Sequence, residues 1–558
     1  MEKQKERKRI IPKFKINFTI VAVILLIILG ICITPKTFQN DTYYTIKIGE
    51  YIKSFGIDMM DHFSWHENLS YTYPHWLYDL LTYLIYSVAN FKGIYIATCI
   101  LSAILSVSIF LVNSKLTKNK AISFLVTLGV LYVLQDYITA RAQLVTFIFF
   151  IWEIFFIEKF LQNRKIGYAI GLIISSLLIA NLHSATWPFF FVLFLPYIGE
   201  QVIAVIADTI MYEKVNIFVL KTKIKIYSKN NPDKAEKLQL ELNKRKERIS
   251  EIKIKREESN KNPYKIFIKR NKNVKCLVLV MIICILMGFI TPIGDTPFTY
   301  LYKTMQGNTT QNISEHLPMT LINYTDVLCI LVVLLAILIF TKTKIKLSDL
   351  FMIAGLCYLM LSTRRQLSMF VLIGSVPFMR LLLDLIHRYT KKFEEDTEMI
   401  ASHILVVVAL SLFIVTLGLA IMKPTWDDQY VNEKSYPVQA CDYIIENIDL
   451  DNARFYNEYN FGSYMLFRGI PVFIDSRADL YSPEFNGDEE RDIFTDFINT
   501  SGISTFYEDT FEKYNITHVI LSKKSKTNMI ITKTKDENYK ELYSDDNFVV
   551  YERLNAEK

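Results

Sequence analysis

Between Asn40 and Leu80 a carboxylate, an Asp-His pair and a cluster of aromatic residues follow one another closely. The stretches read N-D-T-Y-Y-T-I-K-I-G-E-Y-I, then D-H-F-S-W, then Y-P-H-W-L-Y-D-L-L. A carboxylate such as Asp41 can take a proton from a hydroxyl, and an imidazole such as His62 or His75 can hold a phosphate oxygen or a metal ion. Asp41 stands a few residues beyond a long apolar run, where an ionisable group is costly unless it works. Further along, Asp136, Arg141, His183, Glu315, His316, Arg364 and Arg365 also stand at the edges of apolar runs. Arginine there suits phosphate, because its planar fork donates two parallel hydrogen bonds. Plainer roles exist for each: Asp41 as a helix cap, the arginines as snorkelling helix ends, His183 as an interfacial hydrogen-bonding group. What points to chemistry is that the topology below puts them all on one face.

The elements that must position these residues are apolar helices. The chain has 558 residues, 51% of them hydrophobic, with a mean hydropathy of +0.23. Its long apolar runs, from residue 16 to 422, define a polytopic α-helical membrane protein rather than a large soluble one. Candidate spans are 16–34, 93–113, 121–136, 142–160, 166–181, 187–208, 276–291, 324–340, 348–361, 367–386 and 401–422, about 11 in all. The segment 75–90 is short of the ~20 residues a span needs and is interrupted by Asp79, so it is expected to lie in the interface. The basic N-terminus before the first run lacks a small-x-small cleavage pattern after it and reads as an uncleaved anchor.

Treating 75–90 as non-spanning puts the basic connections on one side, as the positive-inside rule requires. The N-terminus, S-K-L-T-K-N-K, E-K-F-L-Q-N-R-K, the insert 212–275, T-K-T-K-I-K and H-R-Y-T-K-K then face the cytoplasm. The loop 35–92, the short turns carrying Arg141, His183 and Arg364/Arg365, and everything after residue 426 face outward. The insert reads as a solvated helix or hairpin along an anionic leaflet, with a partner-binding coiled coil as the alternative. The net charge of +7 is thereby explained by the membrane, and nucleic acid is unnecessary as a partner. Of seven cysteines, six sit in or beside apolar runs, and no spacing marks a zinc site or disulfide framework.

Residues 426–558 alternate helix-like and strand-like runs, the pattern of a small α/β domain. Strands are expected at R-F-Y-N, P-V-F-I-D, T-H-V-I-L-S and F-V-V-Y-E-R. No G-x-G-x-x-G occurs, so a dinucleotide has no support. Asp475 and Arg477 follow a predicted strand, where α/β sheets bind ligands; a structural Asp–Arg pair accounts for them equally well.

The pattern D-x-Y-Y-x-I-x-x-G-E-Y-I, D-H-F-S-W, H-W-L-Y-D resembles the first extracytoplasmic loop of bacterial polytopic glycosyltransferases of the GT-C class, relatives of oligosaccharyltransferases, protein O-mannosyltransferases and aminoarabinose transferases. R-A-Q-L (141–144), N-L-H (181–183), T-P-I-G, S-E-H-L-P, R-R-Q-L (364–367) and N-E-Y-N-F-G-S-Y-M-L-F-R with P-V-F-I-D-S-R-A-D-L-Y are similar to the same group. The resemblance implies a GT-C-like membrane domain over 1–425, with a catalytic loop 35–92 and a cytoplasmic insert 212–275, followed by an extracytoplasmic α/β domain over 426–558. It implies a multi-pass protein of the cell membrane that moves a sugar, with inversion, from a polyprenyl-phosphate donor to a lipid, glycan or protein acceptor. Asp41 matches the catalytic carboxylate. Arg141, Arg364 and Arg365 are then expected on the donor phosphate, with His75, His183, Asp475 and Arg477 as further substrate contacts. The class leaves a divalent metal open; Asp61 and His62 are its candidate ligands, although no D-x-D follows the first helix. Trp65, Tyr71, Tyr73 and Trp76 are expected against lipid and sugar. The alternative is a non-catalytic transporter or envelope-assembly subunit on the same scaffold.

Overall fold

The computed structural model describes residues 17–207, 209–261, 265–390, 393–487 and 491–555; the basic N-terminal segment lies outside them. Helix α1 (Phe18–Cys32) opens the chain, its first turn closed by the Asn17 side chain accepting from the Thr19 amide at 3.1 Å. Helix α2 (Asn40–Phe55) follows, then α3 (Trp76–Thr117), α4 (Lys120–Leu134), α5 (Ala142–Asn163) and α6 (Ile166–Leu182). Each apolar stretch of the sequence falls on a helix, except 187–208, which is broken into Trp187–Val192 and Leu195–Ile206. Trp76–Thr117, Ser184–Ile206, Arg364–Tyr389 and Ile404–Thr425 are long and apolar enough to cross a membrane, by length and composition; five other apolar helices are shorter.

Helix α3 is two helices in one. Ala89 (φ −135°) and Asn90 (φ 50°) leave helical geometry and separate an amphipathic first part from the apolar second part. Asn is among the few residues that accept a positive φ at low cost, which explains the break at this position.

The bundle has a large apolar core, in which Leu26, Phe110, Phe147, Phe150 and Phe190 are almost wholly buried, and a smaller cluster around Leu334, Ile353 and Leu381. The insert forms a helical hairpin of Thr209–Asn230 and Pro232–Lys261, tied by Arg245 to Glu213 at 2.9 Å. The chain then pairs β1 (Ile266–Phe267) in parallel with β2 (Ile345–Lys346).

After residue 426, strands β3 (Phe455–Asn457), β4 (His518–Ser522), β5 (Tyr539–Ser544) and β6 (Phe548–Arg553) make a sheet in the order β3-β4-β6-β5. Within this sheet only the β3–β4 pair is parallel. The expected strand P-V-F-I-D does not form. Val472 makes a single bridge to Ser64. Asn457 satisfies the neighbouring backbone, accepting from the Phe473 amide at 2.8 Å and donating to the Ile474 carbonyl at 2.7 Å. Helix Tyr459–Phe467 lies so close over this segment that a Cβ on Gly462 would meet the Ile474 carbonyl oxygen at 2.0 Å. Glycine is required for that approach.

The loop 35–92 shares its core with this C-terminal part and also touches the bundle. Tyr43, Leu69, Tyr71 and Tyr73 share one buried core with Phe455, Phe461 and Val472. Tyr71 and Tyr73 are therefore core residues and not lipid contacts. Trp65 donates to the Phe455 carbonyl at 2.9 Å, and Trp76 to Asn181 at 3.1 Å.

Candidate functional site

Asp41 occupies the first turn of α2, where a carboxylate faces the positive end of the helix. It is not the cap, since Gln39 holds that position. Its Oδ2 meets Nη2 of Arg141, the N-cap residue of α5, at 2.5 Å. Arg141 reaches on to Glu315 at 3.5 Å. The amide of Arg365 donates to the Glu315 carbonyl at 3.0 Å, which brings the third helix end into the group. The Arg365 side chain lines the same niche and has no ion pair or hydrogen bond among the described residues. Two carboxylates, Asp41 and Glu315, therefore share Arg141, while the Arg365 guanidinium is paired with neither. Asp41, Arg141, Arg365, His75 and His183 line a half-open niche of about 40 Å³, room for a few water molecules.

Two histidines complete the wall. His75 Nδ1 lies 3.2 Å from both oxygens of Asp79, which is fully buried. The proton on Nδ1 leaves Nε2 facing the Tyr44 hydroxyl at 3.5 Å and the niche. His183 Nδ1 is 2.8 Å from the Thr146 hydroxyl, whose own proton goes to the Ala142 carbonyl at 3.1 Å. That pairing places the His183 proton on Nδ1 and leaves Nε2 as an acceptor. Burial holds the ring neutral, with its pKa well below the usual range, and His75 and Arg365 push it the same way. The two rings stand 5.9 Å apart.

These groups meet because α2 and the first part of α3 touch at Gly49. A Cβ there would sit 2.1 Å from the Asp79 carbonyl oxygen and 2.6 Å from Tyr83 Cβ. The crossing sets Asp41, Tyr44 and Thr45 against His75 and Tyr78.

Other expected residues lie elsewhere. Arg364 leaves the niche and donates to the Pro318 carbonyl at 3.4 Å. Asp475 and Arg477 do not contact the niche. Arg477 forks onto Asp475 at 2.9 and 2.7 Å, and its third nitrogen reaches Asp61 at 2.6 Å. Tyr481 donates to Asp475 at 2.6 Å, and the ion-paired side chains are no more than 2% exposed. Closed on itself, the cluster staples the loop 35–92 to the C-terminal part. Burial alone would push the Asp61 carboxyl up, but Arg477 and the two Ser64 hydrogen bonds hold it below the usual range. His62 points away from Asp61, onto Asp58 at 2.6 Å. Asp61 and His62 therefore do not form a metal pair. The surroundings of Asp41 do not suit a divalent cation either. Among the described residues no three His, Cys, Asp or Glu side chains are grouped so that they could hold a metal ion, and two guanidinium groups line the same niche.

Tyr44 and Gln143 line the niche without having been singled out in the sequence. Tyr44 had a signal, since i and i+3 share a helix face with Asp41. Asp79 had one too, four residues beyond His75 on a helix start. Tyr459, within the N-E-Y-N-F-G stretch, comes from the far end of the chain, and its carbonyl accepts from Asn40 at 2.9 Å.

No protein-family model matches the chain, and no curated protein matches its sequence. Solved structures do resemble it. The oligosaccharyltransferase of Archaeoglobus fulgidus in its apo form superposes with a TM-score of 0.51 at 12% identity, covering 90% of this chain and 69% of that one. The same enzyme tethered through a disulfide bond to an acceptor peptide with an NVT sequon gives 0.49 at 12% identity, covering 96% and 74%. The first of these likenesses shows the fold, and the chain has an oligosaccharyltransferase-like one.

Proposed function

We propose that the chain is a glycosyltransferase of the cell membrane, moving a sugar from a polyprenyl-phosphate donor to an acceptor hydroxyl at the outer face. The observation that carries this reading is the Arg365 guanidinium, without an ion pair or hydrogen bond among the described residues, lining the niche beside the Arg141–Asp41 pair. A phosphate monoanion or dianion is its natural complement, and Arg binds it in forked geometry. The fold likeness and the placement of Asp41 in the loop 35–92 support the same reading.

In this mechanism the donor phosphate docks on Arg365 and draws Arg141 away from Asp41. The freed carboxylate then accepts the proton of the acceptor hydroxyl as its oxygen attacks the anomeric carbon. The bond from that carbon to the phosphate oxygen breaks, and the polyprenyl phosphate leaves with its electron pair, stabilised by both guanidinium groups. One displacement inverts the anomeric centre. His75, held by Asp79, and His183, held by Thr146, offer hydrogen bonds to donor oxygens. No step requires a metal. The lipid tail lies along the bundle, in contact with membrane lipid.

Binding of a polyprenyl monophosphate to the purified full-length chain tests the site. Arg365→Gln is expected to weaken binding by roughly tenfold, the scale of a charge-assisted hydrogen bond. Arg364→Gln is expected to leave it unchanged. Equal losses for the two variants, or none for either, would remove the phosphate from this niche.

A further inference from the structure

A second cleft, of about 480 Å³, opens beside the C-terminal sheet at the carboxyl ends of the parallel strands β3 and β4. Its volume is in the range of small-molecule sites, roughly 300–1,000 Å³. Nothing in the niche around Asp41 uses it. Tyr456 forms part of its lining, and its ring is packed on Phe511 at 4.8 Å and Phe473 at 5.2 Å. The Tyr456 hydroxyl is buried and has no hydrogen-bond partner among the described residues. Buried hydroxyls are rarely left so, which makes this one a place for a ligand's polar group.

The chemistry of the remaining wall narrows the ligand. Phe497 and Tyr459, with ring centroids 6.5 Å apart and an interplanar angle of 36°, give an aromatic surface. Lys524 and Lys526 stand exposed on the rim, and neither has an ion-pair partner among the described residues. Lys526 gives one hydrogen bond to the Gly502 carbonyl at 3.2 Å, which leaves donors for an anion. Glu458 also lines the cleft and accepts from the Ser522 amide at 3.1 Å; burial pushes its carboxyl up, so it opposes an anion less than an exposed glutamate would. An aromatic face with scattered hydroxyl and amide groups and two free cations suits a sugar chain bearing negative charge. An extended peptide has no free edge to join at this cleft. β3 is the end strand beside the cleft, but Trp65 holds the Phe455 carbonyl and Asn457 bonds the 473–474 backbone.

The cleft also adjoins the niche. Tyr459 lines it while its carbonyl holds Asn40, the neighbour of Asp41. Ser314, also in its lining, precedes Glu315, the partner of Arg141. We propose that this cleft binds an anionic oligosaccharide and presents its end to Asp41 as the acceptor. The acceptor role rests on the transferase reading above, whereas the binding chemistry of the cleft stands independently.

The test uses the full-length chain in detergent. The probes are a tetrasaccharide of alternating glucuronic acid and N-acetylglucosamine, a neutral tetrasaccharide of N-acetylglucosamine, and an acidic decapeptide. The acidic tetrasaccharide is expected to bind roughly tenfold more tightly than the neutral one and to lose that margin in the Lys524→Ala/Lys526→Ala variant. Tyr456→Phe is expected to weaken it by roughly fivefold, the scale of one hydrogen bond. Lys540→Ala, on β5, is the control and should change nothing. Equal binding of both sugars, tighter binding of the peptide, no binding of either sugar, or indifference to all of these cleft variants would overturn the proposal. A chain that binds the acidic sugar but transfers nothing keeps the cleft and loses only its acceptor role. One that transfers a sugar but ignores this probe loses the cleft as assigned here.

Discussion

Gly49→Ala offers a test that touches no reacting group. The added methyl would sit 2.1 Å from the Asp79 carbonyl oxygen, where ordinary contact begins near 3.4 Å. Neither partner can move alone, because the oxygen is backbone and the second neighbour, Tyr83 Cβ at 2.6 Å, is at the root of its side chain. Helices α2 and α3 must therefore part by about 1 Å, an overpacking that costs about 1–3 kcal/mol. The displacement is passed on to function. Asp41 lies eight residues before Gly49, about 12 Å along the same helix, while Asp79 holds His75 on the other. A shift of about 1 Å between groups that must act together typically costs about 10²-fold in rate. Transfer of radiolabelled sugar from a polyprenyl-phosphate donor by purified protein should therefore fall by about that factor, mainly in kcat. Gly355→Ala is the matched control, since its Cβ would meet nothing within 4 Å. Wild-type turnover by a folded Gly49→Ala protein would refute the claim that this crossing aligns the two halves of the site.

The staple between loop and C-terminal part gives a stability prediction: Arg477→Met leaves Asp61 and Asp475 buried without their cation, at a cost of about 3–5 kcal/mol. Faster hydrogen exchange across residues 57–73 would report it, and unchanged protection would show that the cluster does not hold the loop. His66 gives a pH dependence. Burial, opposed by its bond to the Phe473 carbonyl at 2.9 Å, pushes its pKa down to about 4, so the folded protein keeps it neutral while the unfolded chain protonates it near 6.5. The stability it protects is complete above pH 6.5 and is lost as pH falls toward 4, by about 3 kcal/mol at most. Thermal unfolding followed across that range should show a slope that His66→Gln reduces; equal slopes would contradict the assignment.

The apolar runs were readable because a helix among apolar surroundings must itself be apolar, and no local pairing choice intervenes. The break at Ala89–Asn90 was readable for the same reason, as a change from amphipathic to apolar pattern. P-V-F-I-D misled because alternation and β-branching describe a buried extended segment as well as a strand, and the difference lies in Asn457, which takes the backbone groups a neighbouring strand would have taken. Asp41, Arg141 and Arg365 stood out as charges at helix ends, where composition makes them rare. Arg364 could not be told from Arg365, since only the direction of one short turn separates them. Asp61, Asp475 and Arg477 looked like site residues because a buried ion cluster and a binding site use the same side chains. The distinction is saturation, which only coordinates disclose: every arm of Arg477 is engaged.

The central claim is that Asp41 takes a proton during sugar transfer, and single-turnover kinetics of Asp41→Asn measure it most directly. The substitution keeps the size of the side chain and removes only the base. With donor bound to the same extent as in the wild type, the rate of transfer should fall by roughly 10²-fold or more. Transfer at close to the wild-type rate by a folded, donor-bound Asp41→Asn protein would contradict the account.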